Sequence, residues 1–206
     1  DCVKKGIPHD PNTCNGPHYG GSSHAGLVNK EMLKDMKDIG FTYLDYGLEH
    51  WDSKILRNLG KGTTREANKR CIEWTLESGI SPIPNQIIMF PDEDWDTLNT
   101  MLDAWEEIKI VSSPFICTPY PGAEWYIKYK DHILDQYNGN LESFIIDLED
   151  ATKVTALLTK KFTPAEAVGI QNIMSQAAIT GDFKNARRLL AYSKKMKEDQ
   201  MITQKS

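Results

Sequence analysis

The chain has 206 residues, of which 40% are hydrophobic and 26% are charged, a composition that excludes intrinsic disorder as the expected state. The formal net charge of −5 is mild and no long block of like charges occurs, so neither nucleic acid nor an anionic membrane surface is indicated as a partner. No stretch approaches the roughly 20 apolar residues that cross a bilayer, and the first residues do not resemble a signal peptide. We therefore expect a cytoplasmic protein.

Four cysteines, at positions 2, 14, 71 and 117, lie far apart and form no CxxC pair. This spacing favours neither a zinc site nor a disulfide framework, so no metal ligand is assigned to the chain. The chain begins at Asp1, in a segment that is typical of the end of a helix. We therefore expect the chain to be a piece of a larger enzyme.

The first predicted elements are a helix and a strand. Residues 29–39 begin with an asparagine N-cap and carry apolar side chains at helical spacing, which predicts a helix. Residues 41–46 are aromatic and β-branched, and the glycine that follows them predicts the end of a strand. Thr63 or Thr64 then caps a second predicted helix, which ends at Gly79.

The alternation of strands and helices continues to about residue 118. Residues 98–108 carry a helical apolar face between two short apolar strands, and a weaker segment before residue 29 adds one more strand. Such alternation predicts right-handed βαβ units and a parallel sheet, with half the strands of an eight-stranded barrel or two-thirds of those of a six-stranded one. The predicted strands are His18–Gly26, Phe41–Tyr46, Gln86–Phe90 and Phe115–Thr118.

Beyond about residue 123 the strand signal stops, and only helical patterns follow. We therefore predict an α/β fold in two parts, a partial barrel over residues 1–125 and an α-helical extension over residues 126–206. The predicted helices of the extension are 124–137, 141–158, 164–178 and 182–198.

Candidate ligand-binding residues follow the predicted strands, because ligands of parallel α/β folds bind at the carboxyl ends of the strands. Glu49 could accept hydrogen bonds from both hydroxyls of a ribose or bind a cationic amine, or it could form a loop salt bridge. His24 and His50 could act as acid-base groups, or each could be a simple hydrogen-bonding residue.

The later strand ends carry further polar groups. Glu93 could pin the N-terminus of the following helix as a capping carboxylate, or it could bind a ligand. Thr118 and Tyr120 supply hydroxyl groups, within a loop that Pro119 and Pro121 make rigid.

Taken together, these segments resemble the radical S-adenosylmethionine (SAM) enzymes. Residues 40–50 (GFTYLDYGLEH) and 54–62 (KILRNLGKG) are similar to a family strand that ends in Gly-x-Glu and is followed, one helix later, by Lys-Gly. Residues 86–93 (QIIMFPDE) resemble the next strand, which in the family runs into Gly-x-Pro-Gly-Glu-Thr. Residues 118–124 (TPYPGAE) resemble the last barrel strand, particularly in the branch whose members often carry a cobalamin-binding domain.

The resemblance implies a partial radical SAM barrel, with the later strands holding SAM. Glu49 takes the position of a ribose or methionine contact, and the loop at Pro91 passes close to the adenine or methionine part of the cofactor. Met89 and Asp92 stand where the family usually has glycines, so a side chain there would narrow the approach of the backbone to the ligand. The implied cofactor-binding residues are Glu49, Gly47, His24, Ser22, Met89, Pro91, Thr118 and Tyr120.

The family reaction also implies groups that the chain does not supply. A [4Fe–4S] cluster is held by a CxxxCxxC loop, which this sequence lacks, so we expect its ligands upstream of Asp1. The resemblance further implies an electron donor for the cluster, cobalamin as a candidate cofactor, and a small-molecule or peptide substrate of unknown identity. The isolated chain is accordingly expected to be inert.

Two other functions remain open at this point. The chain could belong to an α/β-barrel enzyme without radical chemistry, in which Glu49 and His50 act as an acid-base pair. It could also be a barrel remnant without catalytic activity that binds a nucleotide-like ligand or a partner protein. The radical SAM function predicts methyl transfer, cyclisation or a similar radical step.

Overall fold

The computed structural model describes residues 18–109, 112–150 and 154–203. Cys2 and Cys14 lie outside this range. The elements are β1 (Tyr19–Ser23), α1 (Lys30–Asp38), β2 (Phe41–Glu49), α2 (Ser53–Asn58), α3 (Arg65–Glu77), β3 (Ser81–Ile88), α4 (Trp95–Ile108), β4 (Phe115–Ile116), α5 (Glu124–Lys128), α6 (Lys130–Asp135), α7 (Leu141–Leu148), α8 (Pro164–Thr180) and α9 (Phe183–Thr203).

The four strands are parallel and follow one another in the order β1-β2-β3-β4. This arrangement confirms the predicted α/β fold, in which each strand is connected to the next by helical segments. Strands β1 and β2 pair from Tyr19 with Phe41 to Ser23 with Tyr46, and the pairing of β2 with β3 runs to Glu49 opposite Gln86.

All four strands differ from their predicted bounds, and β1 and β4 are shorter than predicted. Strand β2 continues past Tyr46 to Glu49, so Gly47 lies inside the strand instead of ending it. Strand β3 begins five positions earlier than predicted, in a stretch that contains Pro82 and Pro84. Proline lacks a backbone donor, but β3 pairs with β4 only from Ile87 onward, so the sheet tolerates the two prolines before that point.

Helix boundaries in the first part of the chain follow their capping residues. The side chain of Asn29 accepts a hydrogen bond from the amide of Met32 and begins α1, and Thr64 accepts from Ala67 and begins α3. Both predicted helices are therefore confirmed. Helix α2, which Asp52 caps through two backbone amides, is not predicted by periodicity, because six residues are too few for a helical period to be visible.

The later helices include two corrections. The predicted helix 124–137 is divided into α5 and α6 at Tyr129, which has φ of −109°. The predicted helix 141–158 ends at Leu148 instead. The segment around Leu157 is not helical, because the side-chain amide of Gln136 accepts from its N–H and donates to its carbonyl at 2.9 Å each.

The last two helices are close to their predicted positions. Helix α8 begins with a capping box, in which Thr163 and Glu166 satisfy each other's backbone amides, and it ends at Gly181. Helix α9 extends five residues beyond the predicted end at 198. Within the described ranges, no helix is both long and apolar enough to cross a bilayer.

The chain forms two compact units. The first unit contains the described residues up to Gln86 together with 107–109 and 112, and the second contains 87–106 and the described residues from Ser113 onward. In the first unit, Leu44, Tyr46 and Leu48 are buried on one face of β2 and alternate with the more exposed residues of the other face. The boundary at residues 125 and 126 between a barrel part and a helical extension stays a prediction.

The hydroxyl of Tyr46 lies in the core of the first unit, 2.7 Å from the hydroxyl of Thr75. Thr75 donates in turn to the carbonyl of Cys71, so Tyr46 is the donor to Thr75. Burial raises the pKa of Tyr46 from 10.0 to about 12, although the hydrogen bond with Thr75 acts in the opposite direction. The folded state thus holds this proton more tightly than the unfolded state does.

We predict that Tyr46 makes the fold sensitive to alkaline pH. Its stabilising contribution is complete below pH 10 and is lost as the pH rises toward 12, with a loss of about 1 kcal/mol at pH 11. Tyr46→Phe should lower the free energy of unfolding by about 1 kcal/mol at neutral pH and flatten this alkaline decline. Urea unfolding at several pH values measures both effects, and the exposed Tyr120→Phe is the control. An equally steep decline in Tyr46→Phe would contradict the assignment.

Candidate functional site

An ion pair marks the carboxyl end of β2. The carboxylate of Glu49 pairs with the ammonium group of Lys61, which also donates to the carbonyl of Gly47 at 3.0 Å. In the folded chain, 17% of the side-chain surface of Glu49 and 34% of that of Lys61 is exposed to solvent, so a ligand can reach both charges. Sequence reasoning proposed Glu49 and Gly47 but missed Lys61 as a site residue. The sequence contained a signal for this residue, because Lys61 is the lysine of the Lys-Gly segment that resembles the family.

Gly47 makes room for this ion pair. A Cβ atom at position 47 would lie 2.5 Å from the ammonium nitrogen of Lys61 and 2.7 Å from Oε1 of Glu49. Both distances are shorter than real Cβ contacts, so any other residue at position 47 would displace the charged groups. The glycine is therefore required by the close approach of the two side chains and not by its own backbone conformation.

His24 supports the loop that carries Lys61. Its Nδ1 accepts a hydrogen bond from the amide of Gly26 at 3.1 Å, which leaves Nε2 to donate to the carbonyl of Lys61 at 3.0 Å. His24 thus contacts the backbone of Lys61 and joins the same cluster as Glu49 and Gly47. Ser22, by contrast, is an exposed residue of β1 that is paired with Asp45 of β2.

His50 follows Glu49 but is directed into the protein. It is fully buried, and its Nδ1 accepts from the amide of Asp52 at 2.9 Å. An acid-base pair of Glu49 and His50 needs both side chains at a solvent-accessible site. The contacts of Glu49 with Lys61 and of His50 with Asp52 do not favour that alternative.

In the second unit, a fully buried carboxylate holds the turn that follows β3. Glu93 accepts a hydrogen bond from the amide of Met89 at 3.0 Å and another from the hydroxyl of Thr97. Met89 is itself fully buried and has φ of +68°, a conformation that glycine adopts more readily than other residues. Glu93 therefore fixes the backbone at Met89.

The helix cap in this region is Asp94 and not Glu93. Its side chain accepts from the amides of Asp96 and Thr97 at the start of α4, and it also pairs with Lys161 at 3.0 Å. Burial acts to raise the pKa of Asp94, but these backbone hydrogen bonds and Lys161 outweigh it and hold the pKa below its usual range. The predicted capping carboxylate was one residue too early.

The remaining predicted site residues of the second unit make few polar contacts. Pro91 is half-buried in the turn after β3, and the hydroxyl of Thr118 donates to the carbonyl of Ile116 at 3.3 Å. The side chain of Tyr120 is 61% exposed. No role in binding follows from these contacts alone.

The cysteines are placed as small buried residues. Cys71 lies in α3 and Cys117 follows β4, and both are buried. Burial raises the pKa of the Cys71 thiol from 9.0 to about 12, which makes it a poor nucleophile and a poor metal ligand. Among the residues that the structure describes, no group of three or more His, Cys, Asp and Glu side chains could hold a metal ion.

Comparison with known proteins identifies the family. The sequence model of the radical SAM superfamily matches residues 4–104, which include the whole of β1, β2 and β3 and the cluster around Glu49. The chain belongs to the radical SAM superfamily. Membership confirms the resemblance in the sequence segments that end β2 and β3.

Two curated relatives have names that refer to methyl transfer. An uncharacterized methyltransferase of Pyrococcus horikoshii is 28% identical over 115 residues, covering 55% of this chain and 25% of the relative. The hopanoid C-3 methylase of Methylococcus capsulatus is 27% identical over 149 residues, covering 72% of this chain and 27% of the relative. This radical SAM chain therefore spans about a quarter of the length of the curated relatives that it matches.

One solved structure to which part of the chain is similar is that of the radical SAM methyltransferase TsrM from Kitasatospora setae with cobalamin and a [4Fe–4S] cluster bound. It shares 18% sequence identity with this chain and has a TM-score of 0.42. The match covers 46% of this chain and 19% of TsrM.

Glu93 provides a test of the turn after β3. We predict that Glu93→Gln lowers the free energy of unfolding by about 1 to 3 kcal/mol, because it replaces a buried carboxylate that accepts charge-assisted hydrogen bonds from Met89 and Thr97 with a neutral amide that has one acceptor oxygen. Chemical denaturation measures the change. The exposed Glu142→Gln is the matched control and should change stability by less than about 0.5 kcal/mol. Equal stability of the two variants would show that Glu93 does not hold the turn.

Proposed function

We propose that this chain supplies the SAM-binding strand end of a radical SAM enzyme, with Glu49 and Lys61 as the ligand contacts. The observation that carries the proposal is the pair of adjacent opposite charges at the carboxyl end of β2, where a ligand can reach both. Family membership supports SAM as the ligand, and the geometry supports Glu49 and Lys61 as its contacts.

The charges of the site are complementary to those of SAM. The cofactor carries a carboxylate, an ammonium group, a sulfonium and two ribose hydroxyls. The ammonium group of Lys61 is suited to the carboxylate of the ligand, and the carboxylate of Glu49 can accept hydrogen bonds from both ribose hydroxyls. Gly47 keeps this edge of the strand open because it has no side chain. His24 contributes by holding the backbone of Lys61.

The residues of this chain do not fit the iron-sulfur cluster. The four cysteines form no CxxxCxxC motif, and none of the described residues form a group of three metal ligands. In the superfamily, a reduced [4Fe–4S] cluster supplies the electron that cleaves SAM to a 5′-deoxyadenosyl radical. We assign to this chain the recognition of SAM and assign none of its residues to the cluster.

For the whole protein we infer a radical SAM enzyme that transfers a methyl group, a reaction supported by the names of the two curated relatives. Such an enzyme requires an electron donor for its cluster, and cobalamin is a candidate second cofactor. After anaerobic reconstitution with iron and sulfide, the reduced whole protein should form 5′-deoxyadenosine or S-adenosylhomocysteine from SAM. Formation of neither product would favour a barrel that only binds a ligand.

The two charged residues are predicted to contact different parts of the ligand. Lys61→Met should weaken the binding of S-adenosylhomocysteine about tenfold or more. It should leave the affinity for 5′-methylthioadenosine unchanged, because that compound lacks the carboxylate. Glu49→Gln should weaken both ligands, because both contain the ribose. Titration of the full chain, followed by two-dimensional NMR, measures these affinities.

A matched control for this series comes from another ion pair of the same unit. Glu107 pairs with Lys69 and Arg65 away from the strand end, and Glu107→Gln removes the same charge as Glu49→Gln. It should leave both affinities unchanged. If Glu49→Gln binds both ligands as well as the wild type does, Glu49 is not a ligand contact.

Gly47 gives a second test of the same site. The atoms that a Cβ would meet are the ends of two flexible side chains, so we predict that Gly47→Ala folds normally but moves Lys61 and Glu49 apart and weakens S-adenosylhomocysteine binding. Gly21→Ala is the control, because a Cβ there meets only an ordinary contact at 3.5 Å. Unchanged affinity in Gly47→Ala would count against the ion pair as the binding element.

A further inference from the structure

The residue that carries the candidate carboxylate lies in a strained turn. The amide of His50 donates to the carbonyl of Leu48 at 2.8 Å, and Glu49 between them has φ of +62°. A hydrogen bond between residues i and i+2 around a positive φ defines the rare form of the γ-turn. The register of β2 against β3 also shifts between Gly47 and Glu49. This turn directs the side chain of Glu49.

A buried asparagine holds both sides of this turn. Asn68, in α3, is fully buried, and its Nδ2 donates to the carbonyl of Leu48 at 3.0 Å and to the carbonyl of His50 at 3.2 Å. These two carbonyls flank Glu49. Because carbonyl oxygens only accept hydrogen bonds, the amide nitrogen of Asn68 must face them. Both of its N–H groups are then used on the turn.

The same side chain is tied to the loop that carries Lys61. The hydroxyl of Thr63 donates to Oδ1 of Asn68 at 2.7 Å in a buried contact, and Thr63 follows Lys61 by two residues. Asn68 therefore connects the backbone on either side of Glu49 with the loop of its ion-pair partner. A purely structural asparagine that satisfies stray carbonyls would not need to link these two particular segments.

We propose that Asn68 is a positioning residue that sets the orientation of Glu49 relative to Lys61 for ligand binding. The inference rests on the proposed function of the Glu49 site. A conformation near φ of +60° is costly for a glutamate, so the turn persists only where other contacts hold it. The two hydrogen bonds from Asn68 are such contacts.

The test replaces Asn68 by an aspartate of nearly the same shape that cannot donate at neutral pH. Asn68→Asp should release the γ-turn, which increases the hydrogen-exchange rate of the His50 amide at least about tenfold relative to amides elsewhere in β2. Binding of S-adenosylhomocysteine should weaken about tenfold in the same variant. In a Glu49→Gln background, Asn68→Asp should weaken binding no further, because the residue that it positions is already lost.

The control is Thr75→Val, which removes a buried hydroxyl from the same helix and leaves the contacts of the turn intact. It should lower stability without changing the His50 exchange rate relative to that of other amides or the affinity. Should Asn68→Asp not fold, Thr63→Val removes only the hydroxyl that orients the amide and tests the same contacts more mildly.

The outcomes separate the two proposals. If the wild type binds no ligand, the proposed function fails. Faster hydrogen exchange of the His50 amide in Asn68→Asp, relative to other amides of β2, would still show that Asn68 holds the turn. If the wild type binds and Asn68→Asp binds equally well, Asn68 is not a positioning residue. Additive losses in the double variant would also overturn the inference, because they would show that Asn68 and Glu49 act independently.

Discussion

The ion pair of Glu49 and Lys61 depends on a backbone conformation that the chain does not adopt at low cost. The positive φ of Glu49 changes the direction of its side chain at the point where β2 stops pairing regularly with β3. Three kinds of contact hold this conformation: the hydrogen bond across the turn, the amide of Asn68, and the attraction of Lys61. The strain is therefore compensated by residues from three separate segments.

The turn after β3 uses the same physical device. Met89 also has a positive φ, and the buried carboxylate of Glu93 accepts from its amide. In both units a non-glycine residue ends a parallel strand in the left-handed region, and a fully buried polar side chain fixes the backbone. Strand ends are where ligands of α/β folds bind, so preorganised turns at these positions fit a binding function.

Much of the fold could be predicted from the sequence, because it depends on local signals. The caps at Asn29 and Thr64 and the apolar face of α4 identified three helices, and the strand pattern of residues 41–46 placed Glu49 just past a strand end. The start of β3 was missed because proline is unfavourable in a strand, and it is tolerated here because β4 pairs with β3 only from Ile87 onward. The non-helical backbone at Leu157 is held by Gln136, a contact over 21 residues that no local pattern contains.

The candidate site shows the same limit. Gly47, Glu49 and His24 all contact Lys61. Lys61 and Asn68 were not proposed from the sequence, since their importance arises from folding and not from their neighbours in sequence. Asn68 lies in the second turn of a helix, a position at which asparagine is ordinarily a poor choice. An unfavourable residue in a helix, fully hydrogen-bonded and buried, is a signal that only the structure can interpret.

The residue at position 89 affects how closely the backbone of this chain can approach SAM. The sequence has a methionine where the resemblance leads one to expect glycine, and a side chain directed at the ligand would narrow that approach. In the structure Met89 keeps a backbone conformation that glycine favours, and its side chain is fully buried. Its amide is also committed to Glu93. Methionine in place of glycine at this position therefore adds backbone strain and a buried side chain to the turn. The proposed binding of SAM depends on the end of β2 instead.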